Sequence, residues 1–145
     1  MSEDSIEFIL KDFPGTRYFP KYKLTTWHPR GVVDETFADK LLAFIEWEEY
    51  IQKAPWDRYA DLSGVTEIRI SLDHVIRTAR RRRFVREPVK SALFAERRDG
   101  LELLRSYERL MEGAAMIQVL SFDNREAAAE WLEVPSSILM PPTAV

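Results

Sequence analysis

The stretch that most constrains the fold runs from Tyr59 to Val75 and reads YADLSGVTEIRISLDHV. An apolar strand ends here at Asp61 to Gly64, and a short loop leads to a helix that begins near Ser71. The segments on either side alternate strand and helix patterns in the same way. This alternation predicts an α/β fold in which the strand is central in a largely parallel sheet. The loop after it is then expected at the edge where such sheets bind ligands.

Length and composition limit the chain to one ordinary domain. It has 145 residues, of which 46% are hydrophobic and 31% are charged, so it can bury a single core. There is no cysteine, which excludes disulfides and thiolate zinc sites and favours a reducing cytoplasm. The N-terminus MSEDSIEFILKDF is acidic where a signal peptide is basic. We therefore expect a cytoplasmic protein with one domain over residues 1–134 and a tail over residues 135–145.

The N-terminal part is predicted to form two strands and a long helix. Ile6 to Leu10 has enough β-formers for a strand, whereas the two prolines and one glycine in Phe13 to Lys21 exclude regular structure there. Tyr22 to Trp27 alternates as the second strand of an antiparallel pair. Asp34 caps the helix that follows. The helix has apolar residues at helical spacing and three glutamates predicted to face water: Phe37, Leu41, Phe44 or Ile45, and Ile51, with Glu46, Glu48 and Glu49.

The rest of the chain alternates strands with helices. Arg58 to Leu62, Val89 to Ala95 and Met116 to Phe122 are predicted as mutually parallel strands joined by right-handed helical crossovers. The first crossover helix, from about Ser71 to Arg83, has one apolar face: Leu72, Val75, Ile76 and Ala79. The expected architecture is a mixed, mostly parallel sheet of about five strands with about four helices packed on it.

Three aspartates fall at or just after the carboxyl ends of predicted strands, where oxygen ligands could hold Mg²⁺: Asp61, Asp99 and Asp123. Two of them also begin capping-box patterns for the last two helices, Asp99 with Glu102 and Asp123 with Glu126. No phosphate-binding glycine-rich loop accompanies them. Helix capping is therefore the favoured role.

Catalytic groups are sparse. His28 and His74 are the only histidines, and they lack the spacing of metal ligands. There is no GxSxG nucleophile motif. We expect no metal, no cofactor and no enzymatic activity. The less favoured alternative is an enzyme that uses Asp61, Asp99 and Asp123.

Four stretches of the chain resemble the SpoIIAA-like proteins of the STAS/SEC14 superfamily, across roughly Tyr22 to Glu133. The stretches are GVVDETF at Gly31 to Phe37, DLSGVTEIRISL at Asp61 to Leu72, VKSALFAE at Val89 to Glu96, and SFDNREAAAEWL at Ser121 to Leu132. The last pattern, a strand followed by an acidic cap and an alanine-rich helix closing on Trp-Leu, recurs in that family. The resemblance implies a mostly parallel sheet with helices on its faces and no known reaction.

Ser71 is the regulatory candidate that this resemblance supplies. The anti-sigma-factor antagonists to which the family is similar carry an Asp-Ser pair whose Ser is phosphorylated at the start of the helix. Here the aligned positions are Arg69 and Ile70, and Ser71 lies one residue later. Capping of the helix by the Ser71 hydroxyl is the favoured interpretation.

A run of arginines is the strongest electrostatic feature in a chain of net charge −3. Its members are the candidates for contact with an anion or a membrane: Arg80, Arg81, Arg82, Arg83 and Arg86. Cations also stabilise the C-terminal end of a helix, and some of these arginines could pair with the glutamates of the first helix.

The sequence therefore predicts a non-catalytic cytoplasmic binding or regulatory domain. It would act through a protein partner, a homodimer contact or a small apolar ligand. An apolar cavity between the first long helix and the sheet would favour the ligand. The alternative is peripheral binding to an anionic membrane surface through Arg80 to Arg83, suggested by the SEC14 side of the resemblance. We expect no nucleic-acid partner.

Overall fold

A five-stranded main sheet organises the computed structural model, which describes residues 16–51, 56–83, 89–121 and 124–142. The strands of the main sheet are β1 (Arg17–Phe19), β2 (Leu24–Trp27), β4 (Asp57–Asp61), β6 (Lys90–Phe94) and β7 (Met116–Leu120). Their order across the sheet is β1-β2-β4-β6-β7. A small sheet contains β3 (Gly31–Asp34) and β5 (Val65–Arg69).

Four α-helices are described, together with one short 3-10 helix. They are α1 (Glu35–Ile51), α2 (Leu72–Arg82), α3 (Arg98–Leu110), α4 (Arg125–Leu132) and the 3-10 helix Ser136–Leu139. The fold is α/β with a mostly parallel mixed sheet, as the alternation of patterns predicted. The four helices and five main-sheet strands also match the expected architecture.

The parallel order of the sheet follows from its crossover helices. β2, β4, β6 and β7 are parallel to one another, and β1 is antiparallel to β2 at one edge. The prediction that the strands around Tyr59, Ala92 and Val119 are mutually parallel is therefore confirmed. The successive connections always advance in one direction across the sheet, which places α1, α2 and α3 on the same face.

The antiparallel edge strand differs from the one predicted. The predicted strand Ile6 to Leu10 lies outside the described residues. The partner of β2 is instead β1, inside the stretch Phe13 to Lys21 where regular structure was not expected, so that expectation is wrong. The three residues of β1 contain no proline, and Pro20 lies in the turn that follows, where its missing N–H costs no ladder hydrogen bond.

The segment predicted as a tail packs against the second face of the sheet. This face is covered by α4 and the 3-10 helix, and its core contains Tyr59, Phe94, Leu132 and Leu139. Leu139 has no exposed surface at all. Residues 135–142 therefore contribute to the core of the domain.

The small sheet was missed in the sequence. Val65 to Arg69 was expected as loop, but it pairs in parallel with β3. Gly64 allows the close approach that starts this pairing, since a Cβ there would lie 3.2 Å from the Pro29 carbonyl oxygen. The Gly31 N–H donates to the Gly64 carbonyl at 3.1 Å.

The predicted N-cap of α1 is confirmed, and the capping box predicted for α3 is wrong. Asp34 Oδ1 accepts from the Phe37 N–H at 2.8 Å, as expected for α1. α3 begins at Arg98 with Arg97 as its N-cap, so the box that was to start at Asp99 does not form. Asp99 already lies in the first turn, where its carboxylate pairs with Arg97. The N-cap of α4 is Asn124, whose side chain makes no capping bond, and Asp123 lies outside the described residues.

Three predictions of exposure are wrong. Glu49 was expected to face water, but its side chain is only 13% exposed, because it pairs with Arg58 and Arg82. Glu48 was expected to face water, but it is 3% exposed, because its position on α1 turns it toward β2. Leu72 was expected on the buried face of α2, but it is 56% exposed at the first turn of the helix.

Candidate functional site

A cavity of about 260 Å³ lies between the main sheet and the helices α1, α2 and α3. Its walls are mainly aliphatic and aromatic. The sheet contributes Trp27, Ala60, Leu62, Leu93 and Ile117, α1 contributes Phe37, Leu41, Leu42 and Ile45, and α3 contributes Leu103, Leu104 and Tyr107. The small sheet closes another side with Val33, Val65 and Ile68. This arrangement has the apolar character of pockets that hold small molecules.

One end of the cavity is polar and charged. We call the residues Glu49, Arg58, Ser91, Arg82 and Tyr107 the polar end. Glu49 receives two hydrogen bonds from Arg82, each 2.8 Å long, and a third of 2.8 Å from Arg58. The side chains of Glu49, Arg58 and Arg82 are 13%, 12% and 8% exposed, respectively. Ser91 is next to Arg58 in the sheet register.

The polar end carries an excess of positive charge, because one carboxylate serves two guanidinium groups. Burial alone would raise the pKa of Glu49, but the hydrogen bonds and charges of Arg82 and Arg58 hold it below its ordinary value. Burial opposes the charge on Arg82, yet Glu49 raises the pKa of Arg82 above its ordinary value. Both side chains are therefore ionised at neutral pH.

Trp27 is one of the residues that line the cavity, and it contains a buried polar atom without a partner among the described residues. The residue is 4% exposed, and its indole Nε1 has no hydrogen-bond partner in the part of the chain that the structure describes. Buried donors are usually paired, and leaving one unpaired costs about 1–3 kcal/mol. An acceptor supplied by a bound molecule would remove that cost.

The structure separates the members of the predicted arginine run. Arg82 faces inward to the polar end. Arg81 pairs with Glu46, and Arg83 donates to the Leu110 carbonyl at 2.6 Å, while both remain exposed. Arg80 is exposed and makes no ion pair within the described ranges, and Arg86 lies outside them. The expected pairing of some arginines with glutamates of the first helix is confirmed for Arg81 and Arg82.

Ser71 caps α2 as predicted, since its Oγ accepts from the His74 N–H at 3.1 Å. Its own N–H donates to Glu35 Oε2 at 2.8 Å, which links the start of α2 to α1. Hydrogen bonds from the Ser71 backbone and hydroxyl lower the pKa of Glu35. Ser71 remains a regulatory candidate only: it is exposed, and a phosphoryl group on its hydroxyl would lie beside the Glu35 carboxylate.

Asp61 belongs to a separate buried network on the opposite face of the sheet. Arg125 donates to Asp61 Oδ2 at 3.0 Å, the Ser63 N–H donates to Oδ1 at 2.9 Å, and His28 Nδ1 lies 3.5 Å from Oδ2. Burial tends to raise the pKa of Asp61, but the hydrogen bonds of His28 and Ser63 and the charge of Arg125 lower it to about 2. The network extends through His28 to Arg17, which donates to the Met140 carbonyl at 2.6 Å. Its contacts link β2, β4, α4 and the C-terminal segment.

The described residues bring together no group of three His, Cys, Asp or Glu side chains able to share a metal ion. Asp99 is exposed and pairs with Arg97. Among the same residues, no helix has both the length and the apolar character needed to cross a bilayer.

Comparison of the chain with protein-family models, with curated proteins and with solved structures finds no match. The SpoIIAA-like resemblance therefore rests on the sequence alone. Its four stretches fall on β3 with the start of α1, on the end of β4 through β5 to the start of α2, on β6, and on α4.

The polar end was missed as a site, although the sequence contains a signal for it. Glu49 is four residues after Ile45 and eight after Leu41, so it lies on the apolar stripe of α1. Arg82 similarly follows Val75 and Ala79 on the buried stripe of α2. Charged residues at core positions of two helices predict a buried ion pair between them.

Proposed function

We propose that this chain is a non-catalytic binding domain for a small, largely apolar ligand held in the cavity between the main sheet and α1 to α3. The observation that carries the proposal is the cavity itself. Protein interiors are close-packed and contain few voids larger than a water molecule. A volume of about 260 Å³ has room for roughly nine water-sized groups at about 30 Å³ each.

The walls define the kind of ligand. Aliphatic side chains from α1, α3 and both sheets surround most of the volume, so an alkyl chain would leave water for an apolar environment. Burial of a methylene group contributes about 0.8 kcal/mol, so a chain of about eight carbons gains at most about 6 kcal/mol. Because association also costs free energy, this upper limit corresponds to a dissociation constant no tighter than about tens of micromolar.

The membrane alternative has weaker support. It requires the arginines of α2 to present a common surface, but Arg82 is buried at the polar end and Arg81 and Arg83 have partners on the protein. Within the described ranges, Arg80 and Arg83 are the exposed members of the run without a carboxylate partner, and Arg83 is held by its hydrogen bond to the Leu110 carbonyl. Ligand binding in the cavity involves only the inward-facing side of α2, so it does not require the arginines to form one exposed surface.

Calorimetric titration with 1-octanol tests the proposal, because this alcohol is of about the size of the cavity and carries no charge. We expect one molecule to bind per chain. Ala60→Leu adds bulk to the sheet wall of the cavity, so it should abolish binding while the protein remains folded. Ala43→Leu makes the same change on the exposed face of α1 and should bind like the wild type. Wild-type protein that binds no octanol at millimolar concentration would contradict the proposal.

A further inference from the structure

We propose that the ligand is a small amphipathic acid, with one anionic group bound by Arg58 and Arg82 and an alkyl chain lying along the apolar walls. This inference rests on the proposed function and narrows it to a ligand class. It begins from the charge balance of the polar end, where Glu49 is the shared partner of both guanidinium groups.

The two arginines keep unused hydrogen-bonding capacity after binding Glu49. A guanidinium group has five N–H donors in a planar fork. Arg82 uses both terminal nitrogens on Glu49, and Arg58 uses Nη2, so each group retains donors for a second acceptor. A carboxylate matches this fork geometry, and charge-assisted hydrogen bonds of this kind are roughly twice as strong as neutral ones.

The neighbouring acids do not neutralise the excess charge. Glu46 pairs with Arg81 on the outer side of α2. Glu48 does not line the cavity and accepts from the Thr25 hydroxyl at 3.3 Å. Burial raises its pKa to about 7 against the charge of Arg58, so Glu48 offsets only part of that charge near neutral pH. A buried charge without a counter-charge is costly, so an anion that enters the polar end is favoured over a neutral or cationic group.

Two neutral side chains complete the polar end. Tyr107 and Arg82 both line the cavity, and the charge of Arg82 opposes the rise that burial causes in the pKa of the Tyr107 hydroxyl. Ser91 is the register partner of Arg58 on the adjacent strand, and both residues line the cavity. A carboxylate placed against the guanidinium groups would thus have two hydroxyl groups nearby as further donors.

The test compares three probes of equal chain length in calorimetric titrations: octanoate, 1-octanol and octylamine. We expect wild-type protein to bind octanoate about tenfold or more tightly than octanol, and octylamine least tightly. Arg58→Gln removes the excess charge and leaves the Glu49–Arg82 pair intact, so it should bind octanoate at least about tenfold more weakly than the wild type, with circular dichroism to show that the variant is folded. Arg80→Gln, an equal loss of charge on the exposed face of α2, should keep the preference.

The possible outcomes distinguish this inference from the proposed function. Octanol bound as tightly as octanoate by the wild type would overturn the amphipathic acid and leave the apolar cavity site in place. Binding of none of the three probes would overturn both. The affinities of the wild type for the three probes test the preference for an acid even if Arg58→Gln does not fold.

Discussion

Glu48 is an acidic residue that lies in the interior of the fold. It is almost fully buried on α1, and burial raises its pKa from 4.5 to about 7 against the opposing effects of the Arg58 charge and the Thr25 hydroxyl. The folded state therefore holds a proton that the unfolded state releases. As pH rises from about 4.5 to about 7, this group lowers the free energy of unfolding by about 3 kcal/mol.

Glu48→Gln keeps an acceptor for Thr25 and removes the titration. We expect the variant to match the wild type in stability below about pH 4.5, and to exceed it by up to about 3 kcal/mol above about pH 7. Urea unfolding at a series of pH values measures the difference. The exposed Glu130→Gln on α4 controls for loss of one carboxylate and should remain close to the wild type throughout. A Glu48→Gln difference that does not grow with pH would show that Glu48 is ionised in the fold.

Single residues were the hardest part of the site to predict. Glu48, Glu49 and Arg82 have ionisable side chains, and residues of these types are normally assigned to water. Their positions on the buried stripes indicate otherwise, but the pattern of one helix does not identify the partner on another. The Glu49–Arg82 pair joins residues 33 positions apart in the chain. Only the packing of α1 beside α2 brings them together.

The C-terminal 3-10 helix lies in the segment that was expected to be a tail. Its packing can be tested by mutation. Leu139 is fully buried against α4 and the sheet, whereas Met140 beside it is 48% exposed. We expect Leu139→Ala to lower the free energy of unfolding by about 2–5 kcal/mol, because it leaves a cavity in the core. Met140→Ala is the matched control and should change stability by less than about 0.5 kcal/mol. Equal, small effects in chemical denaturation would place Leu139 outside the core.

At the level of elements, the helices and strands with the clearest local sequence pattern were the ones predicted correctly. The strands around Tyr59, Ala92 and Val119 and the four helices have clear periodicity or length, and they were predicted with small errors at their ends. The small sheet was missed because Val65 to Arg69 is mostly exposed and polar. Its pairing partner, β3, is separated from it by all of α1 and β4, so local sequence contains little information about the pairing.

At the level of the whole molecule, the parallel order could be predicted from chirality and alternation, but the cavity could not. A cavity is the volume that remains between side chains from α1, α2, α3 and both sheets. No single stretch of sequence records it, because each wall looks like an ordinary apolar core face. The expectation that a cavity beside α1 would favour ligand binding was therefore conditional, and the geometry meets the condition.

Native mass spectrometry of the purified protein is the decisive measurement for the cavity, since it counts bound molecules per chain. We expect a single adduct when octanol or octanoate is supplied to the wild type, or a small molecule carried through purification. We expect no such adduct on Ala60→Leu and a normal adduct on Ala43→Leu. Wild-type protein that stays free of ligand at excess probe, or an adduct equally abundant on Ala60→Leu, would contradict the claim that the cavity is a binding site.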